Sequence, residues 1–186
     1  IAATKSGLDV LLAKNLIRPF GRKSENVLLG FLLITGIFSM FVSNTATAAM
    51  IIPLAMGMLK NIDYETNKGT YAFVILGVAY SASIGGMGTL VGSPPNAIVA
   101  SQLKISFSEW LQYGMPTVLG LMPLMLGTMY LIFRPKLNIK ITPEVTTEKL
   151  NSKQYITILI FAITALCWIF GDTLNVQLSS LFGISK

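Results

Sequence analysis

The chain alternates long apolar stretches with short polar segments, and two of the apolar stretches are broken near their middle. The breaks are Ser43-Asn44-Thr45 and, further along the chain, Gly92-Ser93-Pro94-Pro95-Asn96. A helix in lipid keeps its backbone groups paired, because each unsatisfied N–H or C=O costs several kcal/mol in hydrocarbon. Paired breaks of this kind are typical of secondary transporters, where they indicate an ion and substrate site near the bilayer midplane.

The length of the first apolar run, residues 27–59, predicts a hairpin rather than one span. A single helix of that length would extend about 50 Å, whereas the hydrocarbon core is roughly 30 Å thick. Broken in its middle, the run gives two arms of about 21–24 Å, which pass the midplane without crossing the membrane. We therefore predict an all-α membrane protein with a re-entrant helical hairpin, a discontinuous transmembrane helix and further spans.

The same pattern divides the chain into five segments. They are an interfacial amphipathic helix and basic turn (1–26), the hairpin (27–60), the broken helix with its following span (70–133), a linker (134–153), and a further span (154–186). For residues 4–20 the end of a truncated span remains the alternative to a surface helix. Within the third segment we expect a loop at 104–112, with Trp110 and Tyr113 as interfacial anchors, and a helix at 116–133.

Composition places the chain in a lipid bilayer. Its residues are 53% hydrophobic and 12% charged, whereas soluble domains are about 25% charged. The net charge of +6 does not indicate nucleic-acid binding, because the basic residues lie in short loops. With the hairpin, every basic residue except Lys104 and Lys186 falls on one side, which predicts that this side is cytoplasmic. The chain opens at Ile1 in mid-pattern, so we expect an internal piece of a longer transporter.

The inventory of reactive side chains argues against an enzyme. The chain has no histidine and one cysteine, Cys167, in an apolar run, so His-based zinc sites, Ser-His or Cys-His catalysis and disulfides are excluded. None of the acidic residues lies in a proposed intramembrane segment, which leaves no general base there. A non-transporting assembly subunit is disfavoured too, since it would gain nothing from exposed midplane backbone.

The breaks suit a cation and an anion together. Without acidic side chains, a bound cation must be held by neutral carbonyl, hydroxyl and amide oxygens, which suits Na⁺. The half-helix N-termini expected near Ala46 and Pro94 present free N–H groups that attract an anion such as a carboxylate. Close helix packing is an alternative role for the small residues, and it remains open for Gly85, Gly86 and Gly88.

Two motifs resemble those of the divalent anion–sodium symporter family, which includes bacterial dicarboxylate carriers and animal citrate transporters. They are Ser-Asn-Thr in a hairpin and Gly-x-Gly-Thr-x-x-Gly-Ser-Pro-Pro-Asn-Ala, from Gly86 to Ala97. The resemblance covers most of the chain and implies part of an inverted-repeat transporter, with residues 27–133 in its transport domain and 154–186 beginning a scaffold. A second Ser-Asn-Thr motif, expected in the family, is absent here.

The resemblance also implies residue roles and an activity. A sodium site would use Ser39, Ser43, Asn44 and Gly92, and the substrate carboxylate would meet Ser43, Asn44, Thr45, Ser93 and Pro94. The implied activity is sodium-coupled uptake of di- or tricarboxylates by an elevator motion in a homodimer of the full-length protein, in the bacterial inner membrane. The alternatives within the superfamily are a carrier of sulfate or another anion, and a sodium-independent dicarboxylate exchanger.

Overall fold

The computed structural model describes residues 24–136 and 152–170, and these residues form six helices and no strand. The helices are α1 (Ser24–Ser39), α2 (Asn44–Leu59), α3 (Lys68–Gly85), α4 (Pro94–Leu103), α5 (Phe107–Phe133) and α6 (Ser152–Ile169). The predicted all-α fold class is confirmed. The surface helix predicted for 4–20, most of the linker predicted for 134–153 and the end of the segment 154–186 lie outside the described residues.

Helix α3 forms the centre of the bundle and packs against α1, α2 and α5. The core between these helices is built from aliphatic and aromatic side chains, among them Phe31, Leu32, Ile51, Phe73 and Val74. Towards the C-terminal ends of α1 and α3 the side chains become small and the two backbones approach closely. A Cβ atom added to Gly85 would lie 2.6 Å from the Cα of Gly36, so close packing accounts for a glycine at this position.

The two arms of the hairpin, α1 and α2, have 16 residues each, which gives each a length of about 24 Å. Both arms return to one end of the bundle. Tyr71, near the start of α3, donates its hydroxyl to the carbonyl oxygens of Leu59 and Ile62, each at 2.9 Å. Glu25 and Asn26, near the start of α1, line one cavity with Phe73 of α3. The start of α1, the end of α2 and the start of α3 therefore lie together.

The end of α5 lies at this same end of the bundle, which we call the base. The backbone N–H of Lys136 donates to Thr70 Oγ1 at 3.0 Å, and its ammonium group donates to the Thr66 carbonyl at 3.1 Å. Four basic residues of the described part lie at the base: Lys60, Lys68, Arg134 and Lys136. Lys104, which ends α4, lies at the opposite end of the bundle, between α4 and α5.

The predicted loop at 104–112 is wrong from Phe107 onward, because α5 begins there. Ser106 and Glu109 form a capping box: Ser106 Oγ accepts from the Glu109 N–H at 3.3 Å, and Glu109 Oε2 accepts from the Ser106 N–H at 2.8 Å. This reciprocal pair satisfies two free donors and starts the helix early. In the described part of the chain, α5 is the helix that is long and apolar enough to cross a membrane.

Candidate ion and substrate site

The structure brings the two breaks into contact. Gly86, just after α3, lies so close to the Asn44 side chain that an added Cβ would be 2.9 Å from Asn44 Cγ. Gly92 lies against the hairpin in the same way, because its Cβ would be 2.8 Å from the Ser39 carbonyl oxygen. The absence of a side chain at these two positions lets the backbones meet, so Ser39, Asn44 and Gly92 are brought together.

The hairpin break is a short turn between Ser39 and Asn44. Ser39 is fully buried, and its hydroxyl donates to Asn44 Oδ1 at 2.8 Å across the turn. Ser43 is the N-cap of α2, and its hydroxyl accepts weakly from the Ala46 N–H at 3.4 Å. The N-terminus expected near Ala46 therefore lies two residues earlier, because Ser43 caps a helix whose first residue is Asn44. Ser43 and Thr45 are exposed, and Asn44 is half-buried.

The second break runs from Gly86 to Ser93, earlier in the chain than the predicted segment 92–96. Ser93 is the N-cap of α4 by position and Pro94 is its first residue, as predicted from the order Ser-Pro. The Ser93 hydroxyl makes no capping hydrogen bond and is half-buried, whereas Pro94 is exposed. Asn96 belongs to the first turn of α4 and folds the break back on itself, because its amide donates to the carbonyls of Gly86 and Thr89, each at 2.8 Å.

No charged side chain lies near the breaks in sequence. Residues 26–59 and 69–103 contain no Asp, Glu, Lys or Arg, and the described residues contain no cluster of His, Cys, Asp or Glu that could hold a metal. Among the described acidic groups, Asp63 lies at the base, where the hydroxyl and N–H of Thr66 lower the pKa of its carboxyl. An ion between the breaks would therefore meet neutral oxygens and backbone N–H groups.

Three residues that were not among the predicted ligands support the breaks. Thr89 donates its hydroxyl to the Met40 carbonyl and accepts from the Gly92 N–H at 3.2 Å. Asn96 holds the second break as described, and Trp110 of α5 donates from Nε1 to the Met87 carbonyl at 3.1 Å. Thr89 and Asn96 lie within the Gly-Thr and Pro-Pro-Asn parts of the second motif. Trp110 was expected as an interfacial anchor, and nothing in the local pattern indicated its contact with Met87.

The described residues form a helical bundle in which two uncharged breaks touch, an arrangement that is typical of transporters. The sequence pattern of the citrate transporter family matches residues 2–182, and the chain belongs to that family. This confirms the resemblance drawn from the Ser-Asn-Thr motif and from the motif that runs from Gly86 to Ala97. Membership of a transporter family also makes the chain a membrane protein.

Its relatives include transporters from bacteria and archaea. An uncharacterized transporter of Haemophilus influenzae is 51% identical over 180 residues, which cover 96% of this chain and 39% of that protein. An uncharacterized transporter of Methanocaldococcus jannaschii is 35% identical over 94% of this chain and 39% of its own length. The sodium-dependent dicarboxylate transporter SdcS of Staphylococcus aureus is 32% identical over 94% of this chain and 38% of its own length. The chain thus spans about two fifths of the length of these relatives.

Proposed function

We propose that this chain is part of a sodium-coupled carrier that takes up di- or tricarboxylates, and that it supplies half of the binding site. The observation that carries the proposal is the contact between two uncharged breaks, which places neutral oxygens beside half-helix N-termini. The sodium dependence and dicarboxylate substrate of SdcS support the same activity. The charge-free breaks leave no catalytic base at this site, so we propose transport and no enzymatic reaction.

The sodium ion is proposed to bind where the hairpin tip meets the second break. Its ligands would come from Ser39, Ser43, Asn44 and Gly92, which offer hydroxyl, amide and backbone oxygens without a formal charge. Ser39 already orients Asn44, because its hydroxyl donates to Asn44 Oδ1. That hydrogen bond leaves a second lone pair on the amide oxygen, which is the kind of neutral ligand that Na⁺ accepts in broken-helix transporters.

The carboxylate is proposed to bind at the N-termini of α2 and α4. Ser43, Asn44 and Thr45 start α2, and Ser93 and Pro94 start α4. The first N–H groups of α2 have no partner within the helix and carry the positive end of its dipole, so they favour an anion. Helix α4 begins with two prolines, which have no N–H, so it contributes the positive end of its dipole and the Ser93 hydroxyl. The exposed hydroxyls of Ser43 and Thr45 and the uncapped Ser93 hydroxyl would donate to the carboxylate oxygens.

The proposed orientation in the membrane rests on the basic residues at the base of the bundle. Both hairpin arms end there, together with Lys60, Lys68, Arg134 and Lys136, and the positive-inside rule makes that side cytoplasmic. We propose that the hairpin is re-entrant from the cytoplasmic side of the bacterial inner membrane. The full-length carrier would work as a homodimer in the lipid bilayer, with residues 27–133 moving in an elevator motion against a scaffold that begins at 154–186.

Replacing Asn44 with alanine tests the site in the full-length carrier, reconstituted in proteoliposomes. Because Asn44 is proposed to touch both ions, the half-saturating concentrations of Na⁺ and of succinate should each rise about tenfold or more, as expected when hydrogen bonds to charged groups are lost. Asn61→Ala is the matched control, since Asn61 is exposed in the turn after α2. Wild-type values for Asn44→Ala would refute the site.

The choice between symport and the alternatives needs a second measurement on the same proteoliposomes. Uptake of labelled succinate, citrate and sulfate is compared in Na⁺ and in choline. Sodium-coupled carboxylate transport predicts that uptake of succinate or citrate stops in choline. Uptake that continues in choline would replace the proposal with a sodium-independent exchanger, and uptake of sulfate alone would replace it with a sulfate carrier.

A further inference from the structure

We propose that Thr89 is a positioning residue whose hydroxyl clasps the two breaks in the arrangement that binds sodium. This inference rests on the function proposed above. The hydroxyl donates to the Met40 carbonyl in the hairpin break and accepts from the Gly92 N–H in its own break. Thr89 is only 3% exposed, so water does not compete for either bond.

The clasp acts on the two backbone segments that supply proposed sodium ligands. Met40 follows Ser39 directly, and the Ser39 carbonyl is the group against which Gly92 packs. One hydroxyl therefore fixes the spacing between the oxygens of Ser39 and Gly92. A binding site requires such spacings to be held within about 0.5 Å.

The same hydroxyl determines which backbone groups remain open to a ligand. It occupies one of the two lone pairs of the Met40 carbonyl oxygen. It also pairs the Gly92 N–H, so this donor is not offered to the anion. The part of Gly92 left for an ion is its carbonyl oxygen, which favours a cation at this point and an anion elsewhere.

Asn96 connects the clasp to α4. Its amide donates to the carbonyl of Thr89 and to that of Gly86, and its side chain is 9% exposed. The backbone of Thr89 is thereby tied to the helix whose start carries Ser93 and Pro94. A displacement of Thr89 would move the proposed sodium ligands. Through Asn96 it would also move the start of α4, where the substrate carboxylate is proposed to bind.

The test replaces Thr89 with valine, which keeps the shape of the side chain and removes the hydroxyl. Thr89→Ser keeps the hydroxyl and should behave as wild type. Thr35→Val is the control for a buried hydroxyl, because Thr35 is fully buried and donates to the Phe31 carbonyl of its own helix at 2.8 Å. All variants are made in the full-length carrier.

Two readouts separate positioning from general stability. Without Na⁺, hydrogen exchange in peptides covering 36–44 and 86–96 should become faster in Thr89→Val and remain unchanged in Thr35→Val, because Gly92 N–H has lost its acceptor. In proteoliposomes, the half-saturating Na⁺ concentration of Thr89→Val should rise about three- to tenfold, while uptake at saturating Na⁺ stays within about twofold.

Each outcome decides a different point. Unchanged exchange in Thr89→Val, or equal changes in Thr35→Val, overturns the clasp. Faster exchange with an unaltered sodium response overturns its link to sodium binding. If Thr89→Val does not fold, Thr89→Ser decides the point. Wild-type hydrogen exchange and sodium response in folded Thr89→Ser support the positioning role of the hydroxyl, and altered exchange or sodium response overturns that role. Faster exchange in a carrier whose wild type ignores Na⁺ supports the clasp and refutes the proposed sodium coupling.

Discussion

Adding a single methyl group at Gly92 should separate the two breaks. In the structure, a Cβ at Gly92 would lie 2.5 Å from the Gly86 carbonyl oxygen, 2.8 Å from the Ser39 carbonyl oxygen and 2.9 Å from the Gly86 Cα. All three are backbone atoms, so no side chain can rotate away to make room. Gly92→Ala therefore has to push the second break away from Ser39 of the hairpin and to widen the break itself between Gly86 and Gly92.

The size of this displacement follows from the contact distances. Carbon and oxygen atoms in contact lie about 3.3–3.6 Å apart even in favourable C–H···O contacts, so the segments must separate by roughly 0.5–1 Å. Overpacking of this kind costs about 1–3 kcal/mol. A shift of that size also exceeds the roughly 0.5 Å within which an ion site must be held. We expect the half-saturating Na⁺ concentration to rise about tenfold, which corresponds to about 1.4 kcal/mol.

The assay measures the thermal unfolding temperature in detergent and sodium-dependent succinate uptake in proteoliposomes, both on the full-length carrier. Gly120→Ala is the matched control, because a Cβ at Gly120 of α5 would meet nothing within 4 Å. That control should be neutral or slightly stabilising, since alanine is favoured over glycine in a helix by about 0.5–1 kcal/mol. A Gly92→Ala carrier with the wild-type unfolding temperature and sodium response would show that the breaks do not meet as described.

Two further substitutions test the fold around the site. Tyr71→Phe removes the buried hydroxyl that donates to the carbonyls of Leu59 and Ile62, of which only the Leu59 carbonyl keeps a second donor, the Ile62 N–H. The change should cost about 1–3 kcal/mol, read as a lower unfolding temperature. Tyr113→Phe, at a residue 68% exposed, should change nothing, and equal effects would contradict the assignment. Ser106→Ala removes the N-cap of α5 and should cost about 0.5–2 kcal/mol, read as faster hydrogen exchange confined to the first turn of α5, and unchanged exchange there would argue against the capping box.

Much of the architecture was predictable because it depends on short-range patterns. A run of residues too long for one span and broken by Ser43-Asn44-Thr45 indicates two arms, and the structure returns both arms to the base. The clustering of basic residues on one side predicted the same arrangement. These inferences need only the rise of a helix and the thickness of a bilayer, which hold for any sequence.

The helix boundaries and the contacts that support the site were harder to predict from the sequence. The hairpin break precedes Asn44 because Ser43 acts as an N-cap, and α5 starts at Phe107 because Ser106 and Glu109 cap each other. Both capping signals are local, but they are weaker than the apolar pattern around them. The Thr89–Met40 contact joins residues far apart in sequence, so its partner is set by packing that no local pattern records.

A site without charged side chains has a consequence for coupling. Under the proposed function, a sodium ion held by neutral oxygens keeps its full charge, and so does a carboxylate held by N–H and hydroxyl groups. Two unit charges about 5 Å apart attract each other by roughly 3 kcal/mol at an effective dielectric constant of 20. That attraction is available only when both ions are bound. An arginine at the anion site or an aspartate at the cation site would let one ion bind alone, so the uncharged breaks themselves favour symport over uncoupled transport.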